Sequence, residues 1–308
     1  MRTILEKLFR PSDKYLALAL IRVYVAFHLL KKLAFIWPYI GVLYGGHSFV
    51  QWSEKLFGTI PSASLQAHIK VIVLVYACAL LAVLFGIGKR CSIFLAFIIN
   101  AFLQAINGYI LNGGDNLIKF VLLYLCFVDS FRYLSIRPVF NKFLNEKISN
   151  LWTRLGAISI STHLALIYFI SGMSKVNASV WYHGTALYYI LQLERFSGSR
   201  LNQILIEYPE VLTLMTFASM FWELAFPFIV WIRKIRPYFL LFGIVMHLGI
   251  YVLMMIHDFE ILFIALYISY FSDQEIMTAW RMFIDLMKRK TGWVLPKLFN
   301  DQNSQPVG

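Results

Sequence analysis

A lysine closes a long apolar stretch inside a run of small residues, Ser171-Gly172-Met173-Ser174-Lys175-Val176-Asn177. Trp181 and the pair Tyr188-Tyr189 follow, in an amphipathic stretch that ends at Leu193. Small residues allow close approach or an unwound turn, and aromatics suit a membrane interface. A lysine in a dry pocket can lose its charge and serve as a base, whereas one at an interface merely snorkels to water. Both readings of Lys175 stay open on the residues alone. Arg22 and Glu223 also interrupt apolar stretches, where each ionisable group costs at least ~2.5 kcal/mol to insert. At ~1.5 Å per residue their depths from one side agree within a few ångströms, so the two are expected to pair across helices. That pair would be either a lock between two helices or part of a site. Pro227, four residues after Glu223, clashes with the Glu223 carbonyl and predicts a kink there.

Three further features complete the candidates. His247 sits in the middle of an apolar stretch beside Met246 and Gly249, either as a hydrogen-bonded packing residue or as a catalytic group. Asn112-Gly113-Gly114-Asp115-Asn116 reads as a tight turn in which Asp115 or Asn116 caps the next helix. Lys119 lies at i, i+4 from Asp115, the spacing of a helical ion pair. No His or acidic pair has metal-ligand spacing, and Cys78, Cys91 and Cys126 show none either, so no metal is expected.

The elements that must hold these groups follow from composition. The 308 residues are 59% hydrophobic and only 14% charged, with mean hydropathy +0.67. Soluble domains run near a quarter charged, so a water-soluble protein is excluded. Apolar stretches cover 15–37, 69–86, 92–110, 117–131, 155–173, 211–232, 237–256 and 259–271. A helix needs about 20 residues to cross a ~30 Å hydrocarbon core. The reading is therefore an all-α, polytopic membrane bundle of about eight spans. The fourth and last stretches are short and must borrow flanking residues.

The net charge of +12 could mark a nucleic-acid partner. Its placement argues otherwise. Of the 28 Lys and Arg residues, 19 fall in the N-terminal segment, the tail and one set of loops. Only Lys55, Lys70, Lys175, Arg195 and Arg200 lie on the opposite side, and four more lie within spans. This is the positive-inside pattern, which puts both termini in the cytoplasm and removes the case for nucleic acid. Lys31 and Lys32 fit it poorly, since they lie toward the outer end of the first span. They are expected to snorkel outward or to face a polar cavity. Residues 274–290 form an amphipathic stretch suited to the inner membrane surface, and 300–308 read as disordered.

Four segments together resemble the HTTM family, the horizontally transferred transmembrane domain shared with vitamin K-dependent gamma-carboxylases. They are Leu18-Ala19-Leu20-Ile21-Arg22, Asn112-Gly113-Gly114-Asp115-Asn116, Tyr168-Phe169-Ile170-Ser171-Gly172-Met173-Ser174-Lys175 with Trp181, and Glu223-Leu224-Ala225-Phe226-Pro227-Phe228 followed by His247. In carboxylases a lysine after such a Tyr-Phe-x-x-Gly segment is the proposed base that deprotonates vitamin K hydroquinone. Oxygenation of the quinol then yields a strong base, which removes a glutamyl proton before carbon dioxide adds. The resemblance assigns the base position to Lys175, with His247 and Asp115 as further catalytic candidates. It makes a vitamin K-type hydroquinone the implied cofactor.

Departures accompany the resemblance. Ser174 replaces a second lysine, Asp115 stands near the place of a histidine, and only a short tail follows the membrane segments. Small bacterial members similar to the sporulation-delaying-protein-B type imply another role, in which a non-catalytic membrane factor helps to mature or export a peptide. The expected organisation is a cytoplasmic segment 1–14, a transmembrane domain 15–272 and a cytoplasmic tail 273–308. The expected location is the cell membrane with an exoplasmic functional face. Expected partners are membrane lipids, a quinone, and a small peptide or membrane protein.

Overall fold

The computed structural model describes residues 9–44, 68–108, 110–136, 146–196 and 199–291. Expectations for residues 1–8 and 292–308 lie outside the described residues. The described elements are all helical. In chain order they are α1 (Tyr15–Ile36), α2 (Ile40–Tyr44), α3 (Ile69–Phe85), α4 (Lys89–Ile106), α5 (Gly113–Phe127) and α6 (Glu146–Val176). Three short helices follow, α7 (Ser179–Tyr182), α8 (Ala186–Gln192) and α9 (Arg200–Ile206). The chain then forms α10 (Pro209–Ile229), α11 (Arg236–Met254), α12 (His257–Leu266) and α13 (Asp273–Thr291).

Four of these helices, α4, α6, α10 and α11, are long and apolar enough to cross a membrane. The other apolar stretches differ for local reasons. Helix α1 has 22 residues but carries Arg22, Lys31 and Lys32, while α3 stops at 17 residues and α5 at 15. The last stretch breaks after ten residues of α12 and continues as a 3₁₀ turn, Tyr267–Tyr270.

Helix ends follow the local chemistry. Asn112, rather than Asp115 or Asn116, caps α5: its side chain accepts from the Asp115 N–H, and the Asp115 carboxylate accepts from the Asn112 N–H. This reciprocal capping box starts the helix earlier than the apolar pattern suggested. Proline stands in the first turn of α10 and α11, where its missing N–H has no partner to lose. At the end of α3, Gly86 adopts φ +71°, and a Cβ there would lie 2.2 Å from Ser135 Oγ. Only glycine satisfies both demands. Helix α10 continues past Pro227 and ends two residues later at Ile229.

Two apolar cores result. The larger one joins α1, α3, α4, α5, α6, α10, α11 and α12. The smaller one gathers Leu191, Leu212 and Met254 with partly buried side chains from α8, α9 and α11. Helix α13 is strongly amphipathic and is tied on by its first turn, where Asp273 accepts from the Leu16 and Ala17 N–H groups. Burial pushes the Asp273 carboxyl above the ordinary carboxylate range, against the lowering effect of those hydrogen bonds.

Arg22 corrects an expectation. It does not meet Glu223. Its guanidinium is fully buried and donates to the carbonyls of Ser130 (3.1 Å), Val83 (2.5 Å), Tyr133 (3.2 Å) and Leu134 (2.6 Å). The Phe131 ring lies 4.9 Å away. Equal depth along two helices did not bring the side chains together, because Arg22 faces the end of α3 and the 128–136 loop. Five donors in a fixed fork can satisfy several carbonyls at once, and the carboxy-terminal end of α3 adds its negative dipole. Arg22→Met should lower stability by about 3 kcal/mol or more, since it strands several buried carbonyls. Arg22→Lys should recover only part of that loss, because one ammonium cannot reach them all. Thermal unfolding in detergent, followed by circular dichroism, measures both; an unchanged midpoint for Arg22→Met would contradict the assignment.

Candidate functional site

Helix α6 runs for 31 residues and stops at Val176. Its last two turns lie against α10, and Gly172 sets the separation: a Cβ there would sit 3.0 Å from the Leu224 N. This close approach brings Lys175 onto Glu223, with Nζ 2.5 Å from Oε1. The Lys175 ammonium also lies 4.4 Å from the centre of the Trp181 ring, on the short helix α7. A carboxylate on one side and an aromatic face on the other both attract a cation. The second Glu223 oxygen, Oε2, is buried without a hydrogen-bond partner among the described residues.

Beyond the end of α6 the chain is filled in by short helices rather than by a continuous one. A cavity of about 630 Å³ remains there, between α8, α10 and α11. Leu187, Ile190 and Leu191 form one wall, Leu214, Met215, Ala218 and Ser219 a second, and Val245, Met246, Gly249 and Ile250 a third. Lys175 and Glu223 line it as the charged groups. The volume falls in the range of small-molecule pockets, and its lining suits an apolar ligand with one polar end.

His247 is placed elsewhere. It does not line the cavity; it belongs to a buried chain of four polar side chains. Its Nδ1 is paired with Glu260 Oε2, and its Nε2 is hydrogen-bonded to Tyr168 OH at 2.6 Å. Tyr168 OH is in turn 2.8 Å from Tyr267 OH. All four are at most 3% exposed. The rings of Trp222, Phe226 and Phe263 pack on Tyr168 and separate this chain from solvent. It binds α6, α11 and α12 together, holding the Met246–Ile250 wall of the cavity against the helix that carries Lys175.

Asp115 forms a third centre, at the far end of α1. It pairs with Lys32 rather than with Lys119, whose Nζ donates to Asn116 Oδ1 at 3.4 Å. Lys31 pairs with Asp258 on α12. The two lysines that disturbed the charge pattern thus clamp α1 to two different helices. His163 is bonded to Tyr124 OH at 3.2 Å. Among the described residues no three His, Cys, Asp or Glu side chains gather as metal ligands would.

The structure therefore unites Lys175 with Glu223 and leaves Arg22, Asp115 and His247 in separate places. Sequence reasoning passed over Glu260, Tyr267 and the role of Tyr168. The signal for Glu260 was present, since it is an acid at the head of an apolar run, as Glu223 is an acid within one. Its partner lies thirteen residues away on a different helix, which no local spacing reveals.

A fold made of helices, several of them long and apolar enough to cross a membrane, around an apolar cavity with an ion pair in its wall defines a helical membrane protein. A family model for the HTTM domain matches residues 9–274. The chain belongs to the HTTM family. No curated protein and no solved structure matches it significantly.

Replacing His247 by Phe or Glu260 by Leu should each cost about 2–4 kcal/mol, because each strands a buried polar partner. The double replacement should lose at least ~1 kcal/mol less than the sum of the two. Unfolding free energies in a double-mutant cycle test this, and strictly additive losses would show that the two side chains are not coupled.

Proposed function

We propose that this HTTM protein binds an apolar ligand bearing a hydroxyl, of the quinol type, and moves the hydroxyl proton with Lys175 and Glu223. The protein would then be a quinol-linked or base-driven modifying enzyme of the membrane. One observation carries the reading: a lysine–glutamate pair forms part of the wall of an otherwise apolar cavity, and one glutamate oxygen lacks a partner. A buried acceptor without a donor is costly, and a ligand hydroxyl is the group that would satisfy it.

A hydroquinone in this site would supply an acidic hydroxyl and reducing equivalents. The chain's own residues supply the rest. Glu223 Oε2 would accept the hydroxyl proton, and the Lys175 ammonium beside it would offset the negative charge left on the ligand oxygen. Net charge is unchanged, and the ammonium offsets the new negative charge in a site of low dielectric. Trp181 and Gly172 hold Lys175 in place. The base is then the pair acting together rather than a lone lysine.

The same reading includes the topology. Helices α1, α3, α4, α5, α6, α10 and α11, with α12 and the 3₁₀ turn that continues it, correspond to the eight apolar stretches, and we propose that they make eight crossings, the short ones completed by flanking residues. The excess of Lys and Arg supports both termini in the cytoplasm of a cell membrane. The cavity would then lie toward the exoplasmic side, where α6 ends. Lipids surround the bundle, and the peptide-maturation role remains as the competing outcome of the test.

Gly249 provides that test, because a Cβ there meets nothing within 4 Å. Gly249→Phe should fill the cavity without disturbing the fold and weaken binding of a naphthoquinone-headed lipid at least about tenfold, or ~1.4 kcal/mol. Lys175→Met and Glu223→Gln should retain measurable binding and abolish quinol consumption. Binding is read by fluorescence quenching in nanodiscs and turnover by quinol absorbance. Full biological function in Lys175→Met would favour the non-catalytic, peptide-handling role.

A further inference from the structure

We infer that the cavity is entered sideways from the bilayer, through a gap between α10 and α11, so that its ligand must arrive dissolved in the membrane. The inference rests on the cavity being a binding site, as proposed above. Three observations carry it.

The first is the roof. Outward of the ion pair the cavity is covered by the smaller apolar core, in which Leu191, Leu212 and Met254 are buried and Phe196, Leu253 and Ile256 pack on them. A water-borne ligand coming from that side would have to open a packed cluster. The second is the mouth. Among the residues lining the cavity, Leu214 is 69% exposed, Val245 62% and Phe242 44%. Side chains that line a cavity and are also this exposed stand at its edge. The third is where that edge lies. Leu214 is within α10, and Phe242 and Val245 are within α11, both of which are long and apolar enough to cross a membrane. The outer face of such helices meets acyl chains rather than water. The mouth therefore opens onto hydrocarbon, while Lys175 and Glu223 in the cavity wall await the polar end of what enters.

Accessibility to reagents tests this without reference to catalysis. In a background with Cys78, Cys91 and Cys126 replaced by alanine, Ser219→Cys places a thiol in the cavity wall. The protein is reconstituted in nanodiscs and treated with N-dodecylmaleimide, which partitions into lipid, or with a charged, membrane-impermeant maleimide. Labelling is read by mass spectrometry, and folding is checked by thermal unfolding. The lipid-soluble reagent should react, and the charged one should react at least about tenfold more slowly. Val245→Trp combined with Leu214→Trp should slow the lipid-soluble reagent by a similar factor, whereas Phe221→Trp, at an exposed position of α10 that does not line the cavity, should not.

Equal rates for the two reagents would overturn lateral entry, as would indifference to tryptophans at the mouth. Ala218→Cys provides a second position if Ser219→Cys does not fold, and failure of both reagents at the folded position would also overturn it. The same pattern in a Lys175→Met background would uphold the entrance even where the proton-transfer role fails.

Discussion

A charge taken out of water into a helical bundle needs either an opposite charge or a set of hydrogen bonds, and this requirement organises the molecule. The cost of a lone buried charge runs to several kcal/mol, comparable with the whole stability of many domains. Lys175 and Glu223 answer each other across α6 and α10. Their contact needs the two helices close together, which is what Gly172 permits. From that seam follow the position of α10 and the space that α7, α8 and α9 only partly fill.

The other buried charges are answered differently. Arg22 is held by backbone carbonyls and an aromatic ring, so it ties a loop and a helix end without needing an acid. Asp115 and Lys32 close the opposite end of α1, where Lys31 and Asp258 form a second pair that is exposed rather than buried. His247 and Glu260 are completed by two tyrosines. Each arrangement is a local solution to the same electrostatic demand, and they share no residues. Among the described residues the Lys175–Glu223 pair borders a cavity of about 630 Å³, whereas the pockets beside Lys32–Asp115 and Lys31–Asp258 are about 40 and 110 Å³. That difference, rather than the mere presence of buried charge, separates a candidate reactive centre from a structural lock.

How much of this was legible depends on the range of the signal. Helix content and the positions of most long helices were visible, because apolar runs and capping residues are local. Even there the boundaries moved: a reciprocal cap at Asn112 started α5 before its apolar run, and the stretch 259–271 broke into a ten-residue helix and a 3₁₀ turn. Lys175 and Glu223 were each recognisable as polar groups in apolar surroundings. Their partnership was not. Depth along the helices pairs Glu223 with Arg22, and depth fixes one coordinate of three.

The amino-acid sequence by itself determined a membrane protein of helices, the family to which it belongs, and a short roster of polar residues that had to be satisfied somewhere. Composition and periodicity carry that information because burial in lipid is decided residue by residue and turn by turn. Tertiary structure alone decided which charge meets which, that His247 sits apart from Lys175, and that a cavity remains beside the lysine. Those outcomes depend on helix rotation and on the close approach at Gly172, where a single added carbon would have pushed two helices apart. Such geometry is set by side chains far apart in the chain, and no spacing along it records them.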